Sequence, residues 1–258
     1  MATWITGHLL ALLIGLSLGL IGGGGSILAV PILVYVLGLN AKTAIAMSLA
    51  IVGMVSLIGV IPHWRRGNVN LKTALSFAPP AMVGALLGSR LAALPFVTDT
   101  LQLICFAVMM LIASYFMIRQ PKTNLSNQAK LSLPQKHQSS YPWLAITLEG
   151  LGVGILTGFV GVGGGFMIIP ALVLLGGIPM KEAIGTSLLI ISFNSATGFL
   201  GYLNQVNINW NLTLTFTAVA ILGVIWGTYF SSKIQGAKLQ KAFGYFLIAI
   251  AVFILIKR

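Results

Sequence analysis

Long apolar runs recur along the 258-residue chain, and they constrain its fold more than any other feature. A helix needs about 20 apolar residues to cross a hydrocarbon core of about 30 Å. Only 7% of the residues are charged, whereas a soluble domain has about a quarter. Eight hydrophobic segments follow one another, at residues 9–39, 41–61, 73–94, 101–118, 144–177, 183–203, 212–232 and 242–256. The sequence therefore predicts an all-α polytopic membrane protein.

The charged residues are mostly cations, with 15 Lys and Arg against three acids and a formal charge of +12. In a soluble protein this excess would indicate nucleic acid as a partner. Here the cations lie between apolar segments, where the bias of cytoplasmic loops toward Lys and Arg explains them. We therefore expect the lipid bilayer, and no nucleic acid, as a partner.

Neither a metal nor a cofactor is predicted. The single cysteine, Cys105, excludes an intramolecular disulfide and a Cys-based zinc site. His8, His63 and His137 do not have metal-ligand spacing, and we assign them no role from the sequence.

The second half of the chain repeats the first at a fixed offset of 139 residues. Between residues 15–91 and 154–230, 24 of 77 positions are identical, many of them Gly, Pro, Ser or Asn. Chance similarity between apolar segments would not select those residue types. Internal duplication is typical of secondary transporters, whose binding sites form between the repeats.

The opening segment of each half has a length that fits no simple helix. Leu9–Leu39 and Gly150–Met180 each contain 31 uncharged residues, and Lys42 and Lys181 follow them. Each run would be about 47 Å long as one continuous helix. That is too long for one span and too short for two. The sequences IGGGGSILAVP and VGVGGGFMIIP place clustered glycines in the middle of these segments, where each glycine costs about 1 kcal/mol of helix propensity. Each half is therefore predicted to open with a broken or re-entrant helix.

The distribution of cations favours the re-entrant arrangement. Eight full spans would divide the cations nine to six between the two sides, whereas two re-entrant segments divide them eleven to four. The second arrangement leaves three full crossings in each half, so the two copies would be inverted. The predicted parts are a first membrane repeat at residues 1–118, a polar connection at 119–142 and a second membrane repeat at 143–258.

The sequence around both glycine clusters resembles a known family. The run from Gly154 to Ser195, GILTGFVGVGGGFMIIPALVLLGGIPMKEAIGTSLLIISFNS, is similar to the signature region of the sulfite exporter TauE/SafE family of membrane permeases. The run from Gly15 to Ile51 resembles the amino-terminal motif of the same family. The resemblance implies transport of small anionic sulfur compounds, such as sulfite, sulfoacetate or other organosulfonates, across the bacterial inner membrane. One departure is Met47, which stands where the second half has Thr186.

A candidate site follows from the glycine clusters themselves. A helix that restarts after a break directs unpaired N–H groups, and the positive end of its dipole, toward the space beside the break. Two breaks that meet would bind an anion, and neutral hydroxyl and amide side chains would add donors. Two alternatives remain open: the glycines allow close helix packing, and the hydroxyls bond back to their own helices. The predicted substrate-binding residues are Gly22, Gly24, Gly25, Ser26, Ser48, Gly161, Gly163, Gly164, Gly165, Thr186, Ser187, Asn194 and Ser195.

Three charged residues are candidates for coupling or gating. Glu149 falls inside an apolar segment, where it either couples transport to protons or lies at headgroup depth. Lys42 and Lys181 are matched across the repeats and either guide anions or anchor helix ends at the interface. We predict a carrier and no enzyme; the alternatives are a passive anion channel and an intramembrane lipid-pyrophosphate phosphatase. The sequence leaves the oligomeric state open, a homo-oligomer included.

Overall fold

The computed structural model describes residues 2–92, 99–119, 143–160, 165–202 and 206–256. The predicted polar connection at 119–142 lies outside these ranges, apart from Arg119 at the end of a helix. The helices are α1 (Ala2–Ile21), α2 (Gly24–Tyr35), α3 (Ala41–Arg65), α4 (Leu71–Ala92), α5 (Asp99–Arg119), α6 (Trp143–Val160), α7 (Gly165–Pro170), α8 (Met180–Tyr202), α9 (Trp210–Lys233) and α10 (Gly236–Ile256). A π-helical turn, Ala171–Leu175, continues α7 directly after Pro170.

Among the described residues, six helices are long and apolar enough to cross a membrane, and they confirm the prediction of a polytopic helical protein. The described parts of the chain are helical or irregular and contain no strand. Large apolar side chains are exposed on each of these helices, as expected of surfaces that face lipid. The spans are Trp4–Ile21, Lys42–Arg65, Leu71–Gly88, Met180–Leu200, Trp210–Lys233 and Gly236–Phe253.

The opening segment of the first half is a helical hairpin. Helix α1 ends at Ile21, and Gly22 then takes a left-handed conformation with φ of +82°. Helix α2 doubles back along α1, because Leu37, just beyond its end, lies within 3.1 Å of the position that a Cβ on Gly7 would occupy. The predicted break in the first half is confirmed, and both ends of the segment lie at the same end of α1.

In the second half, α6 ends at Val160 and α7 begins at Gly165. The residues between them, 161–164, lie outside the described ranges.

Helices of one half pair with helices of the other. Gly15 of α1 packs on the carbonyl of Ala220 in α9, and Gly19 packs near Val224, one turn further along both helices. Helices α6 and α4 repeat this contact, with Gly154 against Ala81. Because the contacts advance in the same direction on both helices, each pair is parallel. The two halves therefore interleave and do not form separate bundles.

The equivalent helices α3 and α8 cross in opposite directions. A Cβ on Gly53 would lie 3.2 Å from that of Ser195, whereas a Cβ on Gly59 would lie 3.3 Å from the side chain of Leu188. Moving forward along α3 therefore means moving backward along α8. Eight full spans would make these helices parallel, while two re-entrant segments make them antiparallel, as an inverted repeat requires.

Candidate functional site

The two opening segments meet where α2 and α7 begin. A Cβ on Gly23 would collide with the carbonyl oxygen of Gly165, and a Cβ on Gly165 would lie 2.7 Å from Ser26 Oγ. Residues Gly22 to Ser26 and Gly165 are all buried. The meeting point is thus closed, and only residues without a side chain fit at its centre.

Gly24 and Gly25 belong to the first turn of α2 and lie just after the break. A Cβ on Gly24 would lie 2.5 Å from Ser17 Oγ, and one on Gly25 would collide with the carbonyl of Ile14. Close packing therefore explains why both are glycine. Helix α2 begins after Gly23, and no side chain within the described residues caps it. Its first N–H groups, with the positive end of the helix dipole, lie where the two halves meet.

The serine hydroxyls beside the break donate to backbone carbonyls of their own helices. Ser26 Oγ donates to Gly23 O at 2.8 Å, and Ser187 Oγ donates to Ile184 O at 2.9 Å. Ser48, which matches Ser187 across the repeats, bonds in the same way to Ile45 O at 2.8 Å. Ser187 Oγ also lies 2.7 Å from the Cβ position of Gly22. These hydroxyls offer oxygen lone pairs, so the donors for an anion are backbone amides.

Three of the predicted site residues cannot be placed. Gly161, Gly163 and Gly164 lie outside the described ranges, while Gly165 is the first residue of α7. The structure therefore describes the candidate site at Gly22 to Ser26 in the first half, at Gly165, and at Ser187 beside them.

Thr186 faces away from the break, into a polar cluster at the α3–α4 turn. It is fully buried, and its Oγ1 accepts from the backbone N–H of Asn70 at 2.9 Å. The Asn70 side chain donates to Glu182 at 3.0 Å and accepts from the N–H of Thr73 at 3.0 Å, which caps α4. The matched Asn209 caps α9 in the same way. The structure therefore gives Thr186 and the repeated asparagines structural partners.

Asn194 and Ser195 lie near the crossing of α3 and α8. Ser195 and its repeat partner Ser56 are 1% and 0% exposed, and neither hydroxyl has a hydrogen-bond partner among the described residues. Asn194 Oδ1 is also buried without a partner there. An unpaired buried polar group costs about 1–3 kcal/mol. Sequence reasoning did not select Ser56, although its identity with Ser195 across the repeats was the available signal.

A second buried polar group lies at the carboxyl end of α3. His63 is 2% exposed; its ring faces the carbonyl of Gly19, but neither ring nitrogen completes a hydrogen bond within the described part of the chain. Thr228 Oγ1 is likewise buried without a partner there. Arg66 Nη1 donates to the carbonyl of Thr228 at 3.1 Å. Sequence reasoning passed over His63 because it tested histidines only for metal-ligand spacing.

The charged candidates occupy different surroundings. Glu149 is half-buried near the start of α6. Lys181 Nζ donates to the carbonyl of Ser232 at 3.1 Å, which ties the start of α8 to the end of α9. Its repeat partner Lys42 is exposed at the start of α3. Lys181 is thus an inter-helix anchor, while the coupling roles of all three residues stay predictions.

Comparison with known proteins adds independent information. Residues 8–254 match the family model described as sulfite exporter TauE/SafE. A probable membrane transporter protein of Xylella fastidiosa strain Temecula1 is 33% identical over 250 residues, covering 94% of this chain and 91% of the relative. The probable membrane transporter protein YdhB of Bacillus subtilis is 26% identical, covering 91% and 93%. No solved structure matches the chain significantly.

Proposed function

The chain belongs to the sulfite exporter TauE/SafE family of membrane transporters, and from that premise we propose that it is a secondary carrier of small anions. The proposed cargo is sulfite or an organosulfonate, and the proposed location is the bacterial inner membrane. The observation that carries the proposal is the contact between the two opening segments, where Gly23 meets Gly165.

The backbone at this contact suits an anion. The first turn of α2 presents N–H groups that no described side chain caps, and the helix dipole adds about half a positive charge there. The neighbouring Ser26 and Ser187 are neutral. A site built from amides and without a fixed cation holds an anion loosely enough to release it.

The closed contact favours a carrier over a channel. Gly22 to Ser26 are buried, and the backbones of Gly23 and Gly165 touch. An anion can pass only if these segments separate. In an interleaved pair of repeats, such a movement opens one side as it closes the other, which is alternating access.

Transport by purified protein in liposomes tests the proposal. Radiolabelled sulfite, thiosulfate, sulfate, sulfoacetate and taurine are offered to liposomes loaded with the same unlabelled compound. With a carrier, the radiolabel inside the liposomes rises transiently above its equilibrium level, because it exchanges for the unlabelled compound. With a channel, the radiolabel only approaches its equilibrium level. Taurine carries a compensating ammonium group and shows whether net negative charge is required.

Each alternative has its own outcome in this assay. We expect exchange of at least one anionic sulfur compound and none in protein-free liposomes. Equilibration without exchange would indicate a channel. Failure with all five compounds would contradict the proposed cargo, and hydrolysis of an added lipid pyrophosphate would favour the enzyme.

A further inference from the structure

His63 is a buried ionisable residue that the proposed site does not use. It lies in the last turn of α3, with 2% of its surface exposed and both ring nitrogens without a hydrogen-bond partner among the described residues. Burial of an unpaired polar group costs free energy. Ionisable residues inside membrane segments mark ion pathways and proton relays. A structural role for His63 would be served by an apolar residue at lower cost.

The position of His63 links it to the break in the first segment. Its ring faces the carbonyl of Gly19, three residues before Gly22. On the other side, its Cβ lies 2.9 Å from the Cβ position of Gly185 in α8, two residues before Ser187, whose hydroxyl lies beside Gly22. The ring therefore lies beside the last turns of α1, while the Cβ of His63 packs on α8, the helix whose Ser187 lies beside the break. A charge on the ring would act directly on that region.

The neighbouring charges leave the imidazole without a carboxylate partner in the described part of the chain. Arg66 acts on the ring from the turn after α3 and donates to the carbonyl of Thr228. In the first turn of α8, Glu182 accepts from Asn70, and Lys181 donates to Ser232.

Helices α1 and α9, which also pack against α3, contribute no anion near the ring. The last turn of α1 has no ionisable residue, and Lys233 at the end of α9 lies over the ring of Tyr229 at 4.3 Å. Because no described carboxylate pairs with the ring, an imidazolium here would gain a counter-charge when an anion binds beside it.

From this arrangement, and resting on the proposed function, we propose that His63 binds the proton that the carrier moves together with its anion. One ring nitrogen takes a proton from water on the side to which the site is open, and a single N–H bond forms. The imidazolium then offsets one negative charge of the anion while both are buried. Opening to the other side releases the anion and breaks that N–H bond, so anion and proton travel in the same direction.

A comparison of exchange with net uptake tests this role. Sulfate and thiosulfate suit it because both remain dianions from mildly acidic to neutral pH, so a pH dependence of their uptake arises from the protein. Exchange is measured at equal pH on both sides. Net uptake is driven by a pH gradient, with the membrane potential held at zero and proton entry followed by trapped pyranine.

His63→Gln is the test variant and His8→Gln is the matched control. His8 is a second histidine with a buried ring nitrogen, but it lies near the start of α1, where it stacks on Trp4. We expect the wild type and His8→Gln to show proton entry with gradient-driven uptake. We expect His63→Gln to lose both while it retains exchange, because exchange needs no net proton movement.

The outcomes separate this inference from the proposed function. Failure of the wild type in both assays would remove the proposed function itself. Wild-type exchange without proton entry, or gradient-driven uptake by His63→Gln at the wild-type rate, would overturn only the role of His63.

If His63→Gln does not fold, a spectroscopic measurement tests whether His63 binds a proton together with the anion. The double variant His8→Gln, His137→Gln leaves His63 as the only histidine, and ¹⁵N NMR reports its ring directly. Added thiosulfate should increase the protonated fraction of His63 at fixed pH. An unchanged ring signal would overturn the inference.

Discussion

Glycine serves two separate purposes around the break. Gly22 has a φ of +82°, which residues with a side chain rarely adopt. Gly23 has an ordinary negative φ of −120°, and it is glycine because the backbone of Gly165 lies against it. The first purpose sets the direction of the chain, and the second sets how closely the two opening segments approach.

Replacement of Gly22 by Ala should impair both stability and transport. The left-handed conformation costs a residue with a Cβ about 1–2 kcal/mol, and the added carbon would lie 2.7 Å from Ser187 Oγ and 3.1 Å from Ile184 Cα. Thermal unfolding in detergent and anion exchange in liposomes measure the two effects. We expect a lower midpoint and strongly reduced exchange.

Gly38→Ala is the control for this variant. Gly38 has a φ of +69°, but its Cβ position has nothing within 4 Å. The control should therefore lose only the stability that the left-handed conformation costs, and it should keep its transport. Equal exchange rates in the two variants would contradict a site at the break.

Sequence reasoning located the break but could not orient the side chains around it. Thr186 and Ser187 are neighbours in one helix, and both were predicted to bind substrate. In the structure only Ser187 faces Gly22, whereas Thr186 faces Asn70. The rotation of a helix depends on its packing partners, and an apolar helix surrounded by protein and lipid carries little sequence signal of that rotation.

At the scale of helices, glycines fix the pairing of the two halves. Gly15 and Gly19 of α1 interleave with Gly223 and Gly227 of α9, so the two backbones pack in contact. Small residues at a spacing of four allow such close approach of helices in a membrane. The fourfold spacing of Gly15 and Gly19 in the sequence is typical of close helix packing but does not identify the partner, because such spacing recurs in several segments.

Gly15→Ala should destabilise this helix pair. Its Cβ would overlap the carbonyl of Ala220, so α1 and α9 must separate. Overpacking of this kind costs about 1–3 kcal/mol. Gly152→Ala is the matched control, because Gly152 lies in the equivalent helix α6 with nothing within 4 Å of its Cβ position. The control gains up to about 1 kcal/mol of helix propensity.

Thermal unfolding of both variants in the same detergent measures the difference. We expect a lower midpoint for Gly15→Ala and an unchanged or higher one for Gly152→Ala. A midpoint for Gly15→Ala at or above that of the wild type would contradict the observed contact between α1 and α9.

At the scale of the whole molecule, the two halves share the pairing of their long helices but differ in chemistry. His63 lies in the last turn of α3, and Glu182 and Thr186 both bond to Asn70 in the turn that follows it. The residues at the matched positions are Tyr202, Thr43 and Met47. The duplication therefore predicts a symmetric framework, whereas the ionisable groups lie at one end of it. Because of this difference, the two ends of a symmetric framework have different chemistry.

The antiparallel crossing of α3 and α8 leads to a test of topology with single cysteines. In a Cys105→Ala background, Lys42→Cys, Arg65→Cys and Lys238→Cys place one thiol each at exposed positions. If each opening segment is re-entrant, positions 65 and 238 share one side of the membrane, and position 42 lies on the other. Eight full spans would instead group positions 42 and 238.

An impermeant maleimide added to intact cells and to inverted vesicles measures the side of each thiol. We expect cells to be labelled at position 42 only, and vesicles at positions 65 and 238, because the cation-rich loops belong inside. Labelling of 42 and 238 from one side would contradict the inverted arrangement. The contact between Gly23 and Gly165 would then have to be explained without a two-fold relation between the opening segments.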